Sequence, residues 1–113
     1  MRFNGRMTSP AAPGRPVFAV LYTYSDDVTT RDEVRPRHRA YLAELLERGL
    51  LLASGPWAGA EGKDDGALLV VTADDIDTAA ALLDEDPFRQ VGVVAGREIR
   101  EWVQVMGPWA PSA

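Results

Sequence analysis

Apolar residues fall along this chain in short blocks of two kinds, some continuous and some recurring every three to four positions. "VFAVLYTY" (Val17–Tyr24) is β-branched and aromatic and predicts a strand. A polar stretch with Asp26, Asp27, Thr29 and Thr30 follows. In "VRPRHRAYLAELLERG" (Val34–Gly49) the residues Tyr41, Leu42, Leu45 and Leu46 recur at helical spacing, and Gly49 supplies the stop. "LLLASGPW" (Leu50–Trp57) predicts a second strand running into a Gly-Pro break. "AGAEGKDDG" reads as a loop and "ALLVVTA" (Ala67–Ala73) as a third strand. Asp74 is placed to cap a second helix with Ile76, Ala79, Ala80 and Leu83 on its apolar face. Pro87 ends that helix, because proline disfavours helical geometry in the residue before it. A fourth strand is expected from about Val93 to Met106, with Ile99, Val103 and Val105 on one face and Trp102 on the other.

The order βαββαβ predicts an α+β protein of the ferredoxin-like kind, a four-stranded antiparallel sheet with both helices on one face. At 113 residues the chain is the size of one domain. Residues 1–15, rich in Gly, Pro and Ser, read as an N-terminal tail, 16–106 as the domain, and 107–113 as a C-terminal tail in which Trp109 offers an anchor.

The strands are too apolar for a sheet covered on one side only, which should alternate apolar with polar. Val17, Ala19 and Leu21 fall on one face of the first strand, and Phe18, Val20 and Tyr22 on the other. Burial is worth roughly 25 cal/mol per Å², and two short helices cover one face. The second face is therefore expected to pack on its counterpart in another copy, giving a homodimer and a dimeric α/β barrel. A monomer with an unusually apolar open face is the alternative.

Charge and composition narrow the partners. A formal charge of −5 and the lack of a basic, aromatic-interleaved patch argue against nucleic acid. No apolar run approaches the ~20 residues of a membrane span. There is no cysteine and one histidine, a poor metal set, so neither a metal nor a cofactor is expected. With no signal-peptide core, a cytoplasmic protein is expected. The remaining partner is a small molecule.

The βαββαβ path brings three loops to one edge of the sheet: Arg35 to His38, Ser54 to Trp57, and Asp84 to Phe88. Proline is best tolerated in a first helical turn, so Pro36 predicts a main helix starting near Arg35, with Thr30–Glu33 a separate turn. His38 would then sit in the first turn, where the helix dipole and three neighbouring arginines disfavour imidazolium. Asp84, Glu85 and Asp86 at a helix C-terminus oppose the dipole, which a histidine or arginine facing one of them would explain. Gly55 and Pro56 break the second strand and can present backbone N–H groups to a ligand, beside the Ser54 hydroxyl and the Trp57 wall. Two readings of His38 remain at this point, a packed residue on the buried helix stripe and an acid/base. Asp86 has an equally ordinary reading as a turn aspartate before proline.

"RPRHRAYLAELLERGLLLASGPWAG", "ALLVVTADDIDTAAALLDEDPFRQVGV" and "EIREW" together resemble the YciI-like (YCII-related) family, over roughly Val17–Val105. The resemblance rests on Arg-x-x-His before a leucine-rich helix, on Ser-Gly-Pro and on Asp-Pro-Phe, in that order. It implies the ferredoxin-like dimeric barrel and a histidine–aspartate pair, matched here by His38 and Asp86. Some relatives are implicated as dehydrochlorinases of chlorinated aromatics and most have no assigned reaction, so no substrate is implied.

The leading expectation is a cofactor-free enzyme acting by elimination or isomerisation on a small organic molecule, with cyclic and aromatic compounds as the candidates. His38 would be the acid/base, Asp86 its partner, and Arg35 or Arg37 with Ser54, Gly55 and Trp57 the binding set. The rivals are a non-catalytic ligand-binding or accessory homodimer and, by fold analogy alone, a cofactor-independent oxygenase.

Overall fold

The computed structural model describes residues 14–110, so the expected tail at 1–15 lies almost wholly outside the described residues. The elements are β1 (Val17–Tyr24), α1 (Val28–Glu47), β2 (Leu51–Pro56), β3 (Gly66–Thr72), α2 (Ile76–Asp84), α3 (Pro87–Gln90) and β4 (Val94–Glu101). All pairings are antiparallel and the strand order is β2-β3-β1-β4. This is the expected α+β, ferredoxin-like arrangement. The sheet of the single chain is open, with β2 and β4 as its edges.

Phe18, Val20 and Tyr22 of β1 stand opposite Val71, Leu69 and Ala67 of β3. Together with Val34, Leu42 and Leu45 of α1, and Ala79 and Leu83 of α2, they form one core. Period-2 alternation in the strands thus meets the three-to-four spacing of the helices. The Tyr41 hydroxyl donates to the Leu82 carbonyl at 2.6 Å and ties α1 to α2. On the other face Ala19 and Leu21 pair with Val70 and Leu68; Val70 is buried, and Ala19, Leu21 and Leu68 are half-buried.

Four expectations need correction. Helix α1 is continuous from Val28 and does not start at Arg35. Asp27 caps it, accepting from the Thr30 backbone N–H at 3.0 Å and the Thr30 hydroxyl at 2.6 Å. Those bonds hold the Asp27 carboxyl below the usual range. Pro36 therefore stands inside the helix, a placement that costs ~3 kcal/mol or more in lost hydrogen bonding and ring clash. Packing of Val34, His38, Leu42 and Leu45 on one stripe outweighs it.

The cap of α2 is Asp75, one residue after Asp74, and it accepts from Thr78 N–H at 2.8 Å. Pro87 does end α2, but it also opens the short helix α3, for which it is suited by its fixed φ. Finally, β4 stops at Glu101 and not Met106, because β1 begins at Val17 and offers no partner beyond the Trp102 N–H to Val17 carbonyl bond at 2.8 Å. Val103 and Val105 are exposed, so they do not form the strand face expected of them with Ile99. Trp109 is half-buried, edge-on to Trp102 with centroids 6.4 Å apart, and its N–H donates to Gln104 Oε1 at 2.7 Å.

Candidate functional site

Helix α1 carries His38 on the same buried stripe as Val34 and Leu42, four residues to either side. Asp86 closes the gap from the other end of the chain. It caps α3 in an extended conformation, and its Oδ1 accepts the Phe88 N–H at 3.0 Å. The same oxygen lies 2.7 Å from His38 Nδ1, and Oδ2 accepts the Tyr22 hydroxyl at 2.8 Å. Asp86 is 0% exposed and His38 8%. An acid so deeply buried is tolerated because its oxygens are met by donors. With Asp86 accepting, Nδ1 carries the imidazole hydrogen and Nε2 is the free ring nitrogen.

Two aromatic residues fix this pair. The Phe88 ring is stacked on His38 with centroids 3.9 Å apart and planes 7° from parallel. Tyr22 reaches Asp86 from the sheet. Burial first, and then the neighbouring Asp86, push its phenol well above the ordinary value, so it remains a donor at neutral pH.

His38 lines a cavity of about 680 Å³ between α1 and the β2–β3 end of the sheet. Its floor and walls include Leu42, Leu51, Leu69 and Trp57. Its polar groups include Arg31, Arg35, Arg39, Ser54 and Asp65. Ser54 is there because β2 contains a bulge. Leu51 pairs with Val71 but Ala53 with Val70, so the extra residue shifts Ser54 opposite Leu69, on the helix side of the sheet. Gly66 lies at the same end. A Cβ there would run into the Tyr22 carbonyl oxygen and press on the Trp57 ring, so only glycine allows this close approach of strands.

Arg31 spans the cavity mouth. Its Nη1 donates to Asp65 Oδ2 at 3.0 Å and its Nη2 to the Ser25 carbonyl at 3.0 Å, while the guanidinium carbon lies 4.9 Å from the Tyr24 ring centroid. Burial is the main reason that the Tyr24 phenol is raised, Asp86 adds to it, and Arg31, Arg35 and Arg39 pull it back.

Of the residues singled out in the sequence, His38, Arg35, Ser54, Gly55 and Trp57 all line the cavity. Asp86 stands behind His38, out of contact with solvent. Arg37 is exposed and is not among the lining residues. It falls away from the face that Arg35 and Arg39 share at i, i+4 on α1. The helix runs through Pro36 without a break, which puts His38 near the middle of α1, beyond the first turn to which the helix dipole is confined. The acidic run divides as charge alone suggests: Asp86 faces His38, and Asp84 pairs with Arg97 at 2.8 Å and Arg89 at 3.6 Å.

Tyr22, Phe88 and Arg39 carry no functional signal of their own in the sequence. Tyr22 shares its strand parity with core residues, Phe88 reads as packing, and Arg39 is legible only once Arg35 and Arg39 are taken as an i, i+4 pair on one helix face. Among the described residues no three His, Cys, Asp or Glu side chains gather as a metal set, and no helix is long and apolar enough to cross a membrane.

Comparison with known proteins agrees with this frame. Protein YciI of Escherichia coli O6:H1 and of Shigella flexneri are each 29% identical to the chain over 87 residues, covering 72% of this chain and 89% of the relative. Among solved structures, the 5-chloro-2-hydroxyhydroquinone dehydrochlorinase of Burkholderia phenoliruptrix, in complex with 2,5-dihydroxybenzoquinone, is similar with a TM-score of 0.66. It is 23% identical, over 76% of this chain and 92% of that one, a likeness of fold. The model of the YCII-related domain matches residues 17–103, nearly the whole of the βαββαβ unit, and the chain belongs to the YCII-related family.

Proposed function

We propose that the chain is a cofactor-free acid–base enzyme acting by elimination or isomerisation on a small organic molecule, with cyclic and aromatic compounds as the candidates. The observation that carries this reading is the buried His38–Asp86 contact at 2.7 Å on the wall of an open cavity. Asp86 holds Nδ1 and so sets the tautomer, leaving Nε2 to take a proton from a substrate carbon or hydroxyl and to return it elsewhere. Arg35, Ser54, Gly55 and Trp57 bind the substrate. Positioned acid–base catalysis of this kind contributes ~10²- to 10⁴-fold, enough for a substrate already activated by its own substituents. Elimination is also the reaction named for the dehydrochlorinase of similar fold.

The functional unit in this reading is a cytoplasmic homodimer joined through the sheet face that carries Ala19, Leu21 and Leu68, which the single chain leaves half-buried. Two such faces would bury one another and close the barrel. Sedimentation of a stable monomer at micromolar concentration would contradict that part.

Turnover is tested by offering activated phenols, lactones and chlorinated quinols to the wild type and to His38→Ala. Conversion by the wild type that falls at least ~10²-fold in the variant supports the reading. Binding to the wild type without conversion, weakened in His38→Ala, would replace it with the non-catalytic ligand-binding protein.

A further inference from the structure

The cavity's charge is opposite to that of the chain. The protein carries a formal −5, yet three guanidiniums, those of Arg31, Arg35 and Arg39, line the cavity against one carboxylate, Asp65. Arg31 is committed to that carboxylate and to the Ser25 carbonyl. Arg35 shares a half-exposed surface pair with Asp32 at 2.9 Å, a contact of little intrinsic strength. Arg39 has no carboxylate within 4.0 Å among the described residues. Nothing in the fold requires a free cation at this point. An apolar pocket with a few convergent polar groups is the ordinary form of a small-molecule site, and a cleft lined by one sign of charge concentrates the opposite one.

We infer that Arg39, with Arg35, forms an anion subsite, and that the ligand is a compact apolar acid, a ring-sized carboxylate or phenolate. This deepens the proposed function and rests on its reading of the cavity as the ligand site. Arg35, His38 and Arg39 stand at i, i+3 and i+4, so they are neighbours on one face of α1 with Cβ atoms ~5–6 Å apart. A ligand held by its anionic group between the two guanidiniums therefore brings the adjoining part of its ring to His38. Leu42 and Leu51 receive the apolar body, and Trp57 walls it. Planar guanidiniums suit a planar anion, which they can grip through two parallel N–H bonds. Arg39 is thus a specificity-determining residue, and Arg37, two positions away and not among the lining residues, is not.

The test compares benzoate with its neutral isostere benzamide by calorimetry at low ionic strength, in the full chain and in Arg39→Gln, Arg39→Lys, Arg35→Gln and Arg37→Gln. Charge-assisted hydrogen bonds predict that benzoate binds about ten-fold more tightly than benzamide and that Arg39→Gln and Arg35→Gln each remove most of that preference. Arg39→Lys keeps part of it, Arg37→Gln keeps all of it, and added salt erodes it. Equal affinities for the two probes, failure of benzoate to bind at its highest soluble concentration, or an equal loss in Arg37→Gln would overturn the inference. The same titration in His38→Ala separates the two ideas. Anion preference surviving in His38→Ala upholds the subsite independently of the catalytic reading, which fails only if the wild type itself converts none of the compounds offered.

Discussion

His38 Nδ1 and Asp86 Oδ1 lie 2.7 Å apart, joined across 48 positions of sequence by the packing of α1 against the Asp-Pro-Phe turn. The same oxygen also takes the Phe88 N–H, and its companion takes the Tyr22 hydroxyl. Asp86→Asn keeps the shape of the side chain but turns an NH₂ group toward one of these donors. The expected loss of stability is ~1–3 kcal/mol, the cost of a buried polar group left without its partner. In the catalytic reading turnover falls ~10²- to 10⁴-fold as well. Urea unfolding and steady-state kinetics on the one variant read both effects.

Tyr22 is a positioning residue, since its hydroxyl touches Asp86 and not the cavity. Tyr22→Phe removes one donor and leaves Asp86 Oδ2 unmet. A drop in kcat with KM nearly unchanged is expected, because the binding residues are untouched, together with ~1 kcal/mol of lost stability. A change confined to KM would place Tyr22 in the binding set instead.

All three tyrosines of the chain, Tyr22, Tyr24 and Tyr41, are held protonated above the ordinary phenol value of 10.0, in each case chiefly by burial. The unfolded chain ionises near that value and the folded one does not, so above it the folded state holds more protons. The stability linked to these phenols is therefore fully present below the ordinary value and is lost as pH rises past it. Denaturation midpoints measured a pH unit below and a pH unit above should fall in that order. Tyrosinate absorbance should rise together with the loss of structure and not ahead of it.

Pro36 sits in the interior of α1 with its side chain exposed, where it denies the Asp32 carbonyl a helical partner. Pro36→Ala should raise the Tm. The helix gains up to ~3 kcal/mol, and the greater freedom of the unfolded chain takes back ~0.4–1 kcal/mol. Benzoate binding should be unaffected, since Pro36 does not line the cavity. A lower Tm would mean that the ring has a packing role that its exposure conceals.

That same proline marks how far the sequence could be read. Alternation in β1 and β3 and the stripe Tyr41, Leu42, Leu45, Leu46 are strong periodic signals, and they carried the βαββαβ order and, through it, the meeting of His38, Ser54 and Asp86. Local preference misled where tertiary packing outweighed it. Pro36 argued for a helix beginning at Arg35, but burial of Val34 and His38 on one face holds α1 together from Val28. Arg35 and Arg39 share a face of α1 at i, i+4 and line the cavity, and Arg37 between them does not, so the choice among the arginines depended on helix phase and not on where the helix starts. The end of β4 depended on how far β1 extends, and the bulge that brings Ser54 to the helix side depended on the pairing of β2 with β3, neither of which is written in a single segment.

Because His38 is the only histidine, imidazole nitrogen NMR reports on it without assignment. In uniformly ¹⁵N-labelled protein at mildly alkaline pH, the expected result is a ring protonated at Nδ1, with that hydrogen slow to exchange, and an unprotonated Nε2 whose resonance moves when benzoate is added. In Asp86→Asn the Nδ1 hydrogen should lose its protection. A ring protonated at Nε2, or an Nδ1 hydrogen indifferent to Asp86→Asn, would contradict the claim that Asp86 holds His38 as an acid/base facing the cavity.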